Sequence, residues 1–535
     1  MPKNLLLALI TGILLWLGWP TYGFPALLLI AFVPLLWAER NIRLSETKKR
    51  GWKVLGVGYL AFFIWNIATT SWLYFSTAFG MWFAVLVNSL LMAAVFWCYH
   101  LFARRSTTGA GLTFLVCLWI GFEYLHLHWD FSWPWLNLGN GFSEYTSWIQ
   151  WYEYTGTFGG SLWIWVSNIA LYLLWVRFRE SGKTFSLIIG VKFVRVAATC
   201  LLLPIIASLL LKPNDDLPER TTEVVVLQPN IEPYVEKYDL DNDSLVRLIE
   251  QLSQEKITPE TDLIIAPETV LADAIELNSI PYDRSVNNLQ QYLLANPETS
   301  FLGGISILER FRDADKATSQ TNYFPQGDFY YNDFNSAFFL KPGFAPELYH
   351  KSKLVVGVEN FPYKSVLQPL LGDVMIDLGG TMGTKTTQGN RSVFQSTHGT
   401  LVAPVICYES VYGEYVGDYI QNGAQFLAII TNDAWWGNTQ GHQQHLSIAR
   451  LRAIETRRWI ARSANTGISA IITPTGTVTH RLAYEKRGSI KATIGLSDEI
   501  TFYSRHGDYI ARIACGMGLF VLLFAIFKRG KMKRK

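Results

Sequence analysis

Charge is scarce in this 535-residue chain: Asp, Glu, Lys and Arg make up 17% of it, against roughly 25% in an average soluble protein. The deficit is local. Residues 1–212 are a series of apolar runs and 509–527 are apolar again, whereas 220–500 has the make-up of a soluble domain. The net charge of +3 is too small to point to nucleic acid. Cysteine is also sparse. Of Cys98, Cys117, Cys200, Cys407 and Cys515, only Cys407 falls in the soluble-looking part, which excludes a disulfide framework there. Lys and Arg are missing altogether from 128–157, a stretch that holds Trp129, Trp133, Trp135, Trp148 and Trp151.

The apolar runs are long. A membrane-crossing helix needs about 20 apolar residues, with a range of about 17–25. The runs 4–19, 24–38, 54–75, 80–103, 109–127, 158–176, 193–211 and 509–527 meet or approach that length. Gly18, Pro20 and Gly23 break the first two into a tight helical hairpin. Lys3 ahead of an apolar run resembles the start of a signal peptide, but no small-residue cleavage site follows. About eight spans put both termini on one side. Arg40, Arg43, Lys48, Lys49, Arg50 and Lys53 follow the second run, and Arg104 and Arg105 the fourth. Arg177, Arg179 and Lys183 follow the sixth, and a basic tail occupies 528–535. All fall on the same side under that count, which the positive-inside rule makes cytoplasmic. The expectation is therefore seven transmembrane helices within 1–212, an extracytoplasmic domain at 220–500, a last transmembrane helix at 509–527 and a cytoplasmic tail. The tryptophans of 128–157 fit either an interfacial belt or a lipid-facing mouth. Glu123, near the outer end of the fifth run, is a carboxylate where one is costly, and so a functional candidate.

From Glu223 onward the pattern changes to short β-rich runs alternating with polar helical segments. Glu223–Leu227, Leu263–Ala266, Phe301–Gly304, Leu401–Ile406, Phe426–Thr431 and Ser469–Thr473 read as strands of an α/β domain. In such domains function collects at the carboxyl ends of strands. There lie Glu268, after Leu263–Ala266, and Cys407, with Tyr408 and Glu409, after Leu401–Ile406; Lys351 follows a turn at Lys341-Pro342-Gly343. A thiol attacks as its thiolate, which a nearby base and cation make accessible. A carboxylate can take the proton, and an ammonium can stabilise the oxyanion that forms on a carbonyl. Glu268, Lys351 and Cys407 supply these three types. Taken singly, each also fits an ordinary structural position.

Read together, Ala266-Pro267-Glu268-Thr269, Tyr349-His350-Lys351 and Val405-Ile406-Cys407-Tyr408-Glu409 resemble the Glu–Lys–Cys sites of the nitrilase superfamily. With the apolar runs around them they resemble its membrane-embedded branch, the apolipoprotein N-acyltransferases. Val225–Ile231, Thr431–Trp436, Arg452–Glu455, Asn465–Ser469 and the stretch Thr501–Asp508 are similar to that family too, as are Glu123, Pro134-Trp135, Gly139, Gln150 and Gly156. Two places depart from it. Val356-Gly357-Val358-Glu359 stands where the family often has Pro-Phe-Gly-Glu, and Lys237-Tyr238 where it tends to have Lys-Trp.

The resemblance implies an αββα nitrilase-like domain set among about eight membrane helices. It implies transfer of an sn-1 acyl group from a phospholipid to the α-amine of a diacylglyceryl-cysteine apolipoprotein, through a thioester on Cys407. Glu268 would be the general base and Lys351 the oxyanion stabiliser. Glu359 would support Lys351, with Tyr408 and Glu409 beside the nucleophile. Trp435, Trp436, Tyr238, Trp135 and Glu123 would serve lipid admission. No metal or cofactor is implied, since His442 and His445 lie in a segment similar to a non-metal loop. The protein would act as a monomer in a bacterial inner membrane, the catalytic domain on the periplasmic face. The same triad in a membrane-tethered amidase or hydrolase is the alternative, and a non-catalytic scaffold or transporter a further one.

Overall fold

A computed structural model describes residues 1–181, 191–232, 240–364, 366 and 383–533. The chain forms two compact units, one of residues 1–74, 78–212 and 506–535, the other of 75–77 and 213–505.

The first unit is helical. Its helices are α1 (Pro2–Leu17), α2 (Val33–Leu44), α3 (Arg50–Thr70), α4 (Ala78–Ala103), α5 (Thr108–Leu125), α6 (Tyr152–Ser181) and α7 (Val191–Leu211), with Tyr509–Lys533 from the end of the chain. Among the described residues, seven helical stretches are long and apolar enough to cross a membrane, while α1 is shorter. At about 1.5 Å per residue, the 16 residues of α1 extend roughly 24 Å, less than the ~30 Å hydrocarbon core. The second stretch begins as a 3-10 turn at Pro25–Leu29 before α2. Asn168 repairs that break: its side chain donates to Leu28 O and accepts from Phe32 N, both at 2.8 Å. Pro204 inside α7 cannot donate to the carbonyl of Cys200, one turn earlier. Trp163 Nε1 donates there instead, at 2.8 Å, and the free backbone group is satisfied without water. Asn88 donates to Asn66 across α3 and α4 at 2.8 Å, the kind of polar contact that fixes helix register in lipid.

The tryptophan-rich stretch, expected as an interfacial belt or a lipid-facing mouth, packs largely into the helical unit. It winds through 3-10 turns at Pro134–Leu136, Leu138–Phe142 and Thr146–Trp148, and its middle is buried. Trp135 is 1% exposed and packs against Trp72 and Trp133. Helix α6 starts earlier than expected and is broken by Gly156 at φ 58°.

The second unit holds two sheets. The first has the order β14-β1-β2-β4-β6-β5, with β3 on β4 and β7 on β6. These strands are β1 (Thr221–Gln228), β2 (Thr261–Ile265), β3 (Leu271–Glu276), β4 (Ser300–Phe311), β5 (Asn322–Phe324), β6 (Phe329–Leu340), β7 (Glu347–His350) and β14 (Gly488–Gly495). The second sheet runs β13-β12-β11-β10-β9-β8: β8 (Phe394–Gln395), β9 (Leu401–Ile406), β10 (Phe426–Thr431), β11 (Ile460–Ala464), β12 (Ser469–Ile472) and β13 (Val478–Leu482). Strands β1, β2 and β4 are mutually parallel, as are β9, β10 and β11.

Helices α8 (Asn242–Gln254) and α9 (Arg284–Leu294) are amphipathic. They bury Leu245, Ile249, Leu289 and Leu293 in one core with Val225, Leu227, Ile264 and Phe301 of the first sheet. Asp241 and Asp283 cap them through side-chain bonds to Ser244 N and Ser285 N. Helices α10 (Gly413–Gln421) and α11 (Gln440–Thr456) connect β9 to β10 and β10 to β11. The sheets meet at β1 and β11, where Ser463 Oγ donates to Leu227 O at 2.6 Å. This is the αββα sandwich expected from the sequence.

Candidate active site

Parallel strands deliver their carboxyl ends to one place, and the sequence motifs follow those ends. Glu268 comes three residues after β2, Lys351 directly after β7, Cys407 directly after β9, and Asn432 directly after β10. Gly304 on β4 makes room for the first of these. A Cβ at Gly304 would lie 2.1 Å from Thr269 N and 2.6 Å from Glu268 C, so a residue with any side chain would push the Glu268 backbone out of position.

Glu268 and Lys351 meet. Lys351 Nζ donates to Glu268 Oε1 at 2.9 Å and lies 2.9 Å from Glu359 Oε2. Lys351 is 1% exposed. Burial alone would lower its ammonium pKa, but the charges of Glu268 and Glu359 outweigh burial and hold it well above the usual lysine range. Asn335 of β6 completes the set. Its Nδ2 donates to Glu268 Oε1 at 2.8 Å and to Glu359 Oε1 at 2.9 Å, while its backbone carbonyl accepts from Lys351 N at 2.8 Å. Glu268 Oε2 accepts from Asn432 N at 3.1 Å. Glu359 Oε2 also accepts from Val355 N at 2.9 Å, which closes the departing Val356-Gly357-Val358 stretch into a turn around its own carboxylate. The residues differ from the family string, yet Glu359 reaches Lys351.

Cys407 is buried and has φ 50°. A left-handed backbone at a non-glycine residue costs about 1–3 kcal/mol and persists only where its surroundings impose it. Glu409 and Ser410 impose it here. Glu409 Oε2 accepts from Ile406 N at 2.8 Å, and Ser410 Oγ donates to Cys407 O at 2.7 Å. The other oxygen of Glu409 accepts from Tyr349 Oη at 2.7 Å, Tyr415 Oη at 2.6 Å and Ser352 N at 2.7 Å. Burial pushes the Glu409 carboxyl up, and these donors restrain that rise. Tyr408 is buried edge-on to Tyr412. Burial pushes the Cys407 thiol well above its ordinary value of 9.0; the Glu268 charge adds to this and Lys351 opposes it. The residue therefore rests as a thiol, electrostatically coupled to both Glu268 and Lys351.

The residues assigned to lipid admission are scattered in character. Trp435 and Trp436 are half-buried in a 3-10 turn that ends at Gly437, φ 57°. Trp135 is an interior side chain rather than a lipid-facing one. Glu123 is buried, and its Oε1 accepts from Trp119 Nε1 at 3.0 Å and Leu138 N at 2.7 Å. It thereby fastens the tryptophan-rich stretch to α5. Tyr238 lies outside the described residues. Among the described residues no group of three or more His, Cys, Asp or Glu could hold a metal ion.

Sequence reasoning passed over Asn335. Its strand reads Phe-Tyr-Tyr-Asn-Asp-Phe-Asn-Ser-Ala, and the signal was there: an Asn and a Ser continuing a β-run into its most apolar part. His445, weighed from sequence only as a metal ligand, and Asp433, within the Thr431–Trp436 string, join Arg462 in a buried group that the sequence did not connect.

Residues 11–170 match the apolipoprotein N-acyltransferase N-terminal domain, and residues 224–502 match the carbon–nitrogen hydrolase family. Curated relatives extend over the whole chain. A Chlorobaculum tepidum protein named apolipoprotein N-acyltransferase is 29% identical, over 98% of this chain and 97% of its own length. Proteins of the same name from Geobacter metallireducens and Thermotoga maritima are each 26% identical. They cover 98% and 97% of this chain, and 96% and 93% of their own lengths.

Proposed function

This chain belongs to the carbon–nitrogen hydrolase family, and from that premise we propose that it is an apolipoprotein N-acyltransferase, a membrane-embedded acyltransferase of lipoprotein maturation. The observation that carries the chemistry is the buried Glu268–Lys351–Glu359 cluster coupled to Cys407. The relatives' shared name and the apolar helices favour lipid substrates over a soluble amide.

In the first half-reaction Cys407 Sγ attacks the sn-1 ester carbonyl of a phospholipid while Glu268 takes the thiol proton. Lysine has three N–H donors. Two are engaged by Glu268 and Glu359, and the third faces the developing oxyanion, joined by the Tyr408 backbone N–H. The ester C–O bond breaks, Glu268 returns its proton to the departing lysophospholipid oxygen, and a thioester remains. In the second half the α-amine of a diacylglyceryl-cysteine attacks the thioester. Glu268 takes the amine proton and passes it to the Cys407 sulfur as the C–S bond breaks. Asn335 holds Glu268 and Glu359 apart in fixed orientation through both steps.

The orientation follows from the basic clusters: catalytic domain on the periplasmic face of a bacterial inner membrane, both termini cytoplasmic. The test is mass spectrometry of the purified protein in phospholipid. An acyl mass on the Cys407 peptide is expected. Its absence, with turnover of soluble amides instead, would favour the tethered hydrolase.

A resting thiol makes a second expectation. Followed at the Cys407 peptide, alkylation by iodoacetamide climbs with pH and reaches no plateau below pH 9.0, the ordinary thiol value. A plateau near neutrality would mean a standing thiolate–lysine pair and no base role for Glu268.

Trp435 and Trp436 form the aromatic rim of lipid admission in this reading. Trp435→Ala or Trp436→Ala lowers acyl-enzyme formation from a long-chain phospholipid by about tenfold, the scale of losing 1–2 kcal/mol of apolar contact, and barely affects a short-chain soluble ester. Equal losses on both would assign the two residues to the fold.

A further inference from the structure

Next to Cys407, bonded to its carbonyl, lies a fully buried polar chain that the mechanism above does not use. His445 of α11 is 1% exposed. Its Nε2 is 3.2 Å from Cys407 O and 3.0 Å from Ser410 Oγ, and its Nδ1 is 2.9 Å from Asp433 Oδ1. Asp433 in turn accepts from Thr431 Oγ1 at 2.8 Å and from Arg462 Nη2 at 2.6 Å. Arg462 Nε is tied to Ile468 O at 3.2 Å. Burial would push the Asp433 carboxyl up, but Arg462 and His445 more than reverse it and hold the group well below the usual carboxylate range. The imidazole is thus clamped from behind by an ion pair with no freedom to turn. Trp436 packs edge-on against the same ring, centroids 5.5 Å apart.

What the ring grips decides the inference. A peptide unit is planar and trans, so its C=O and N–H point in opposite directions. The carbonyl of Cys407 and the N–H of Tyr408 belong to one peptide unit. Cys407, at φ 50°, opens the short 3-10 turn Cys407–Val411, and the side chains bonded to its carbonyl act on that plane together with the turn. Whatever holds the carbonyl therefore aims the N–H.

We propose that His445 is a positioning residue of the acyl-transfer site: its Nε2–H holds the Cys407 carbonyl and so points the Tyr408 N–H at the substrate oxyanion. Asp433 and Arg462 fix the ring, and Ser410 Oγ shares the carbonyl. The proposal rests on the acyl-transfer reading above. It differs from a merely space-filling histidine in one measurable way. Attack on an ester passes through an oxyanion, whereas alkylation of the same sulfur by iodoacetamide has none.

The experiment uses the full-length protein in phospholipid, with p-nitrophenyl butyrate as acyl donor and iodoacetamide as alkylating agent, both read at Cys407. An oxyanion donor misaimed by about 1 Å costs roughly 10²-fold in rate. His445→Leu and His445→Asn are expected to lower the acylation rate constant by about that factor, with little change in the ester's KM and with alkylation within about twofold of wild type. His445→Gln, whose amide N–H falls where Nε2 was, is expected to recover most of the loss. Ser410→Ala, which removes one hydroxyl and leaves the ring, is expected to lower acylation a few-fold without slowing alkylation. It carries the test if the His445 variants do not fold. Acylation and alkylation falling together, a Gln variant no better than Leu, or undiminished acylation in His445→Asn or Ser410→Ala would each overturn the proposal. A wild-type protein that forms no acyl-enzyme would instead overturn the acyl-transfer reading, so the two failures are separable.

Discussion

Cys407→Ala is expected to abolish acyl-enzyme formation and lipoprotein N-acylation while leaving a folded protein. The side chain is buried, and losing one sulfur from the interior is a modest packing change of about 1 kcal/mol. The φ of 50° survives because Glu409 and Ser410 impose it from neighbouring positions. The chemical loss is of another order. No other cysteine lies in the second unit, so nothing nearby substitutes, and removal of a covalent nucleophile acts at roughly a million-fold in the best-measured serine protease. The measurement is acyl mass on the 407 peptide together with single-turnover N-acylation of a diacylglyceryl peptide. A variant that still transfers acyl chains at more than about a thousandth of the wild-type rate would mean that Cys407 is not the nucleophile.

Lys351 gives the second large effect, and two substitutions separate its two jobs. Lys351→Met leaves Glu268 and Glu359 facing each other in a buried site without the cation between them. Breaking a buried ion pair from one side costs about 3–5 kcal/mol, so the second unit should unfold at markedly lower denaturant. Lys351 also opposes the upward push on the Cys407 thiol. Its removal raises that pKa further, and alkylation at a given pH slows. Lys351→Arg keeps the charge and should retain most of the stability, less about 1–3 kcal/mol for the larger head. It should nevertheless lose acylation by at least about 10²-fold, because a planar fork paired to two carboxylates has no compact third donor for the oxyanion. An Arg variant with near-normal acylation would show that Lys351 acts only as a counter-charge.

The fold was readable where one physical signal dominated. Long apolar runs named the helices of the first unit, and Leu401–Ile406 and Phe426–Thr431 were found at their observed bounds because they are uninterrupted apolar strands closed by a polar residue. Strand β4 was caught only at Phe301–Gly304 although it continues to Phe311. Its second half is half-exposed and pairs with β6, whose Asn332, Asp333 and Asn335 hide a strand behind polar letters. The tryptophan-rich stretch misled for a related reason. Proline, glycine and asparagine mark it as a loop, yet it is packed inside the helical unit, with Glu123 and Ser161 supplying its backbone partners. Glu268 and Cys407 stood out because each follows an apolar strand, and Lys351 because it follows the turn Lys341-Pro342-Gly343. Asn335 and His445 act sideways, from within a strand and a helix, where neighbours distant in sequence decide what they touch.

Glu409 ties the segment that carries Lys351, through Tyr349 and Ser352, to the segment that carries Cys407, through Ile406. The two reactive groups thus share one rigid mount. In the proposed reaction a lipid ester and then a protein-borne amine would use this pair in turn. With this mount in place, nucleophile and ammonium keep a constant separation through both half-reactions, much as a vice keeps its anvil bolted down.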